Sequence, residues 1–218
     1  MEQDLSSLAQ PKHLELTLLE MSHNAVIELA DRVAERPTRE GDAGPFLERF
    51  AAFLQGETFA LIGGVAVRAY LRDRPTMDLD VMIDEAHWDA MRRFLHQENA
   101  DSTATVEDTY CYNIPGTELL LDVRLARSPL DRDALAHFVV GRYKRWQLRV
   151  VQPNHLVAMK VKAYAERKGT RKGRRDRDDI LDLLGDRASA EVVRDLLLAH
   201  RPDLVELFDR IRREGDPP

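Results

Sequence analysis

The run from Arg74 to Asp84, which contains Asp78-Leu79-Asp80-Val81-Met82-Ile83, constrains this chain more than any other segment. In a strand, successive side chains leave on opposite faces, so Asp78 and Asp80 share one face while Leu79, Val81 and Ile83 enter a core. Two acids side by side repel one another and lose hydration, a costly arrangement unless a cation sits between them. Oxygen donors of this kind suit Mg2+ or Mn2+, ions that keep waters and accept phosphate oxygens. Taken alone, the pair reads equally well as the solvated face of an amphipathic strand.

Two further signals bear on that choice. Asp122 interrupts the apolar run Leu119-Leu120-Leu121-Asp122-Val123, where a lone acid is hard to bury without a partner. If its strand neighbours that of Asp78, three carboxylates converge, the ligand supply that two-metal phosphoryl chemistry uses. The alternatives are pairing with Arg124 or Arg127, or an edge-strand position. Gly63-Gly64 closes the short apolar run 59–62 and precedes a helix-like segment, a strand-turn-helix pattern that lets a phosphate approach backbone amides at a helix start. Such a glycine pair also serves simply as a tight turn. Arg68, Arg74 and Thr76 flank these elements as phosphate contacts or surface residues.

A Gly-Gly turn, a DxD strand and a third acid on a later strand resemble, in that order, the nucleotidyltransferases of the DNA polymerase β superfamily; the likeness covers roughly residues 58 to 125. Downstream, Lys160, Ala163 and Arg167 fall on one helix face, and Arg175-Asp176 followed by Asp179-Ile180 opens another helix. This tail is similar to the AbiEii-type branch, the toxin-like enzymes of type IV toxin-antitoxin systems. The resemblance implies an α+β fold: a small mixed β-sheet flanked by helices, with a helical C-terminal lobe. It also implies a metal-dependent enzyme that moves an NMP from an NTP, with ATP among the candidate donors, to an acceptor hydroxyl and releases pyrophosphate. Asp78, Asp80 and Asp122 would hold Mg2+ or Mn2+. Gly63, Gly64, Arg68, Thr76 and Lys160 would bind nucleotide, and Arg74, Arg167, Arg175, Asp176 and Asp179 would be accessory. Asp176 and Asp179 have a purely structural reading as well, capping their helix and pairing with Arg174 or Arg175.

Charge narrows the acceptor. The chain of 218 residues carries a net charge of −6, yet residues 160–177 hold nine basic and two acidic side chains. A basic window on an acidic protein favours an anionic ligand at one place over coating of the whole surface. An RNA 3′ end, with tRNA foremost, fits that window, and a cognate antitoxin protein is the partner the resemblance implies. A protein hydroxyl, an aminoglycoside-like small molecule, or a non-catalytic nucleotide-binding regulator remain as alternatives. Its remaining arginines and lysines between 167 and 177 read equally as a solvated flexible link.

The rest of the chain sets the frame. Helical spacing over 14–35 and a Pro- and Gly-rich loop define an N-terminal arm and loop, 1–44; a catalytic core over 45–152 and a helical lobe over 153–218 follow. In the core, 46–55 reads as a helix stopped by Gly56. Asp84 reads as the N-cap of a helix reaching about Gln97. Residues 104–112 and 118–125 read as two strands joined by the turn Asn113-Ile114-Pro115-Gly116, and 137–151 as a β pair. Cys111 is the only cysteine, which excludes internal disulfides and cysteine-built zinc sites. No apolar run approaches a membrane span and no secretory signal opens the chain, so a cytoplasmic location is expected. His13, His23, His87, His96, His137, His155 and His200 show no metal-binding spacing and read as surface or satisfied core residues. Trp88 and Trp146 read as packing groups.

Overall fold

The computed structural model describes residues 43–71 and 78–215. The expected N-terminal arm, together with Arg74 and Thr76, lies outside these residues. Helix α1 (Gly44–Leu54) starts the described chain with Pro45 in its first turn, where a missing N–H costs nothing. It stacks Phe46, Phe50 and Phe53 against Phe94, with the Phe53 and Phe94 rings 4.6 Å apart.

Seven strands form one mixed sheet: β1 (Phe59–Leu61), β2 (Asp78–Ile83), β3 (Asp101–Val106), β4 (Thr109–Asn113), β5 (Leu120–Leu125), β6 (Phe138–Tyr143) and β7 (Trp146–Val151). Their spatial order is β3-β4-β5-β2-β1-β7-β6. The pairs β2/β5 and β1/β7 are parallel and the others antiparallel. Both parallel pairs need crossovers, and these carry the helices: α2 (Gly63–Tyr70), α3 (Trp88–Gln97) and α4 (Pro129–Ala136).

Two details differ from the expectations set by pattern. The segment 104–112 is not one strand: a tight turn at Glu107 and Asp108, with Glu107 at φ 50°, splits it into the β3/β4 hairpin. Helix α4 has no counterpart among the expected elements. Ser128 caps it by accepting from the Asp131 N–H, and Pro129 occupies its first position. Elsewhere Asp84 caps a short 3-10 turn leading into α3, accepting from Ala86 N–H at 2.8 Å. The hairpin β4/β5 and the pair β6/β7 form as expected.

The C-terminal helices are α5 (Pro153–Glu166), α6 (Arg171–Asp186), α7 (Ala190–His200) and α8 (Val205–Gly215). Helix α5 is the hub, packing on α2, α6 and α7. Its Leu156, Val157 and Val161 join Val81 and Ile83 of β2, Val123 and Leu125 of β5, and Ile180 and Leu183 of α6 in one continuous core. Burial of such side chains, at roughly 25 cal/mol per Å² of apolar surface, is what fixes the lobe to the sheet. Both tryptophans pack as expected: Trp88 lies on Tyr110 at 4.3 Å, and Trp146 donates to Glu48 at 2.8 Å. No helix among the described residues is long and apolar enough to cross a membrane.

Candidate active site

The strand pattern decides where the acids stand. In β2 the burial alternates at Asp78, Leu79 and Asp80, and in β5 Leu121, Val123 and Leu125 are buried between Asp122 and Arg124. Parallel pairing sets Asp80 opposite Asp122 and Asp78 opposite Leu120. The period of two therefore gathers Asp78, Asp80 and Asp122 on one face of two adjacent strands. Cys111 continues the row on β4, opposite Asp122.

Neither arginine that spacing offers as a partner for Asp122 serves it. Arg124 forms a two-pronged pair with buried Asp131, Nε to Oδ1 at 3.2 Å and Nη2 to Oδ2 at 3.1 Å, and Ser128 Oγ donates to the same Oδ2. Arg127 is held by Glu85 and Asp108 at 2.6 and 2.9 Å. Asp122 instead faces Cys111 across the register, and burial first, then Asp122, push the Cys111 thiol up to about 12.

The glycine turn sits on Asp80. Gly63 adopts φ +60°, and a Cβ there would come within 2.1 Å of Asp80 Oδ2, so both the conformation and the space demand glycine. The Gly64 N–H donates to the same oxygen at 3.2 Å. Burial, and after it the charge of Asp122, push the Asp80 carboxyl up to about 7, against partial relief from Lys160 and the Gly64 N–H. Carboxylates so crowded, with oxygens facing a cleft, make a donor set that a divalent cation fits and that a neutral occupant would not relieve.

Helices α5 and α6 close the other side. Lys160 is buried and its Nζ meets Asp176 Oδ1 at 2.9 Å and Asp179 Oδ2 at 2.8 Å, while Arg167 Nε lies 2.8 Å from Asp176 Oδ2. Contrary to expectation, these acids do not open their helix. Thr170 caps α6 from the Gly173 N–H, the first turn holds no acid, and Asp176 and Asp179 face inward further along. Their partners are Lys160 and Arg167, not Arg174 or Arg175. The expected flexible link is mostly helix as well, and Arg171, Lys172, Arg174 and Arg175 project from it exposed.

Together these walls enclose a cleft of about 470 Å³ whose lining includes Gly63, Asp80, Asp122, Arg124, Lys160 and Lys172. Arg68, Asp78 and Gly64 do not belong to this lining. Arg68 is 1% exposed, inside the last turn of α2, and is not a surface residue. Arg124 and Asp131 line the cleft although no motif points to them, because the helix that carries Asp131 leaves no recognisable pattern in the sequence.

The sequence model of the nucleotidyl transferase AbiEii toxin family, type IV toxin-antitoxin system, matches residues 45–213, more than three-quarters of the chain. The chain belongs to the AbiEii family. AbiEii membership makes it a nucleotidyltransferase, and the match takes in every element of the cleft. No curated protein matches the sequence. Solved structures similar to this AbiEii chain include the solution structure of the antibiotic-resistance factor ANT(2″)-Ia, with 15% identity and a TM-score of 0.52 over 76% of this chain and 93% of the other. A crystal structure of ANT(2″)-Ia in complex with adenylyl-2″-tobramycin has 11% identity and a TM-score of 0.50 over 77% and 94%. At such identities the likeness is one of fold: a mixed sheet with flanking helices, as expected.

Proposed function

We propose that this AbiEii chain transfers a nucleoside monophosphate from an NTP to a hydroxyl at an RNA 3′ end, releasing pyrophosphate, and that Asp78, Asp80 and Asp122 hold the divalent cations of the reaction. The observation that carries this reading is the register pairing of Asp80 with Asp122 beneath the Gly63-Gly64 turn. Mg2+ or Mn2+, when bound, supplies neutralisation of triphosphate charge and acidifies the attacking hydroxyl.

The chain's own groups do the rest. Gly64 N–H fixes one Asp80 oxygen, which leaves the other for the cleft. Asp122, on β5, accepts the proton of the acceptor hydroxyl as its oxygen attacks the α-phosphorus and the bond to pyrophosphate breaks. Lys160 carries three N–H donors and spends two on Asp176 and Asp179, which aims the ammonium while one donor is left for a phosphate oxygen. Arg124, pinned by Asp131, presents a planar cation at the cleft wall.

The exposed cations of α6 support RNA as acceptor. Lys172 lines the cleft and Arg171, Arg174 and Arg175 surround it on the same half of the helix, a track for backbone phosphates leading to the carboxylates. The test is incubation with each α-labelled NTP, magnesium and whole-cell lysate containing its RNA, protein and small molecules, beside the Asp80→Asn variant. RNA labelled by the wild type and not by the variant is the expected result; label in protein or small molecules alone overturns the acceptor, and labelling by Asp80→Asn overturns the site.

A further inference from the structure

Three histidines that are scattered in the sequence meet at one carboxylate outside the lining of the cleft. Asp133, in the last turn of α4, has its Oδ2 3.2 Å from His155 Nε2 and 3.0 Å from His200 Nε2, and its Oδ1 3.2 Å from His137 Nδ1. Ligand atoms of Asp133, His137 and His155 all lie within 4.8 Å of one another. By spacing alone these histidines read as isolated surface or core residues; the fold instead brings α4, α5 and α7 to a single point.

We propose that Asp133, His137 and His155 form a second, structural metal site that takes a borderline transition-metal ion, zinc above all, with His200 bonded to the Asp133 carboxylate beside it. The donor chemistry separates it from the catalytic cleft, since imidazoles with one carboxylate suit zinc, whereas magnesium and calcium take oxygen sets. Ligand atoms about 2.0–2.1 Å from a tetrahedral ion stand roughly 3.3 Å apart. The separations of Asp133 from His137 and from His155 are 3.2 Å, while the set as a whole spreads to within 4.8 Å, so the two imidazoles must draw together to share an ion. An ion entering the cluster replaces their hydrogen bonds to the carboxylate by three coordinate bonds and leaves the fourth position open.

Burial adds to this. His155 is 5% exposed and held by the core, and its ring stacks on that of His137 at 4.8 Å with the planes 11° apart. His137 is the exposed member and the ring that must turn for both lone pairs to meet one ion, giving up the contact of its Nδ1 with the Asp133 carbonyl at 2.8 Å. The site ties the end of α4, beside strand β6, to the start of α5 and the end of α7. Since α5 carries Lys160 five residues beyond His155, an ion there fixes the helix that presents the cleft's lysine.

The test uses untagged full-length protein stripped with chelator and then titrated with zinc in excess magnesium, read by calorimetry and thermal unfolding, with cobalt(II) as a spectroscopic substitute. One tight equivalent, a Tm rise of about 5–10 °C at zinc a hundredfold above its Kd, and the intense visible absorption of tetrahedral cobalt are expected. All three should persist in Asp80→Asn and disappear in His137→Gln, an exposed position whose change leaves the core untouched; His155→Gln serves as the second variant. Absence of a zinc-dependent Tm rise, or zinc binding that is lost in Asp80→Asn and kept in His137→Gln, overturns the proposal and leaves a hydrogen-bonded histidine cluster.

Discussion

Asp80 and Asp122 stand directly opposite each other on two parallel strands, while the arginines nearest to Asp122 in sequence, Arg124 and Arg127, are bonded to other acids. The folded chain thus concentrates negative charge where a stability-optimised sheet would place an apolar pair. That is the pattern expected where a fold retains groups for chemistry and not for its own stability.

Replacing Asp80 by asparagine should therefore separate activity from stability. The amide oxygen still accepts from Gly64, while the repulsion with Asp122 is gone. Nucleotidyl transfer should fall by at least about 10³-fold, and the metal-free protein should melt roughly 2–8 °C higher, the equivalent of about 1–2 kcal/mol. Transfer assays and calorimetry in chelator read the two effects.

The pH dependence has a definite sign. The Asp80 carboxyl sits at about 7 in the folded chain against an ordinary value of 3.8, so the fold binds a proton that the unfolded chain has already released. This contribution makes the metal-free protein more stable as pH falls from about 7 towards 4, and it levels off below that. Subtracting the Asp80→Asn melting curve from that of the wild type isolates it. Cations compete with the same proton, so magnesium affinity should fall, by up to about tenfold per pH unit, below pH 7.

Gly63→Ala should be more harmful to catalysis than its size suggests. A methyl group at φ +60° costs roughly 1–2 kcal/mol by itself, and here it would also meet Asp80 Oδ2 at 2.1 Å and displace that carboxylate. Transfer should drop by about 10²-fold or more while the circular dichroism spectrum stays native.

Lys160→Met should strand Asp176 and Asp179 without their ammonium. Loss of one side of a buried pair typically costs about 3–5 kcal/mol, and adding Asp179→Leu should recover part of it. A double-mutant cycle by urea unfolding measures the coupling, expected at about 1–3 kcal/mol. Transfer should remain low in both variants, because the phosphate donor is absent from each.

Neutralising Arg171 and Arg175 together should weaken RNA binding at every sequence alike. The slope of log affinity against log salt should shrink by about 0.7 for each backbone phosphate that is no longer neutralised, with NTP affinity unchanged; fluorescence anisotropy across a salt series reads it.

Much of the fold and of the site is legible in the sequence, and the reasons are local. Asp78 and Asp80 are legible as acids sharing one strand face, Asp122 as an acid in an apolar run and Gly63-Gly64 as a turn; their solvated-face and tight-turn readings are separated from a shared site only by the register of β2 with β5. Arg68 misleads because a charged residue near a turn reads as exposed, whereas its helix is enclosed by sheet and lobe. Helix α4 escapes pattern because Ser128 and Pro129 start only eight residues with little amphipathic contrast. The true partners of Asp176 and Asp179, and the meeting of His137, His155 and His200, depend on how α4, α5, α6 and α7 cross, which no spacing along the chain encodes.

The cleft is lined by residues from Ile62 to Lys172, and its acids Asp80 and Asp122 come from strands that pair only through a crossover. Helices α5 and α6 supply only the wall that faces these acids, so loss of their docking would open the cleft and leave the paired carboxylates of the sheet where they are.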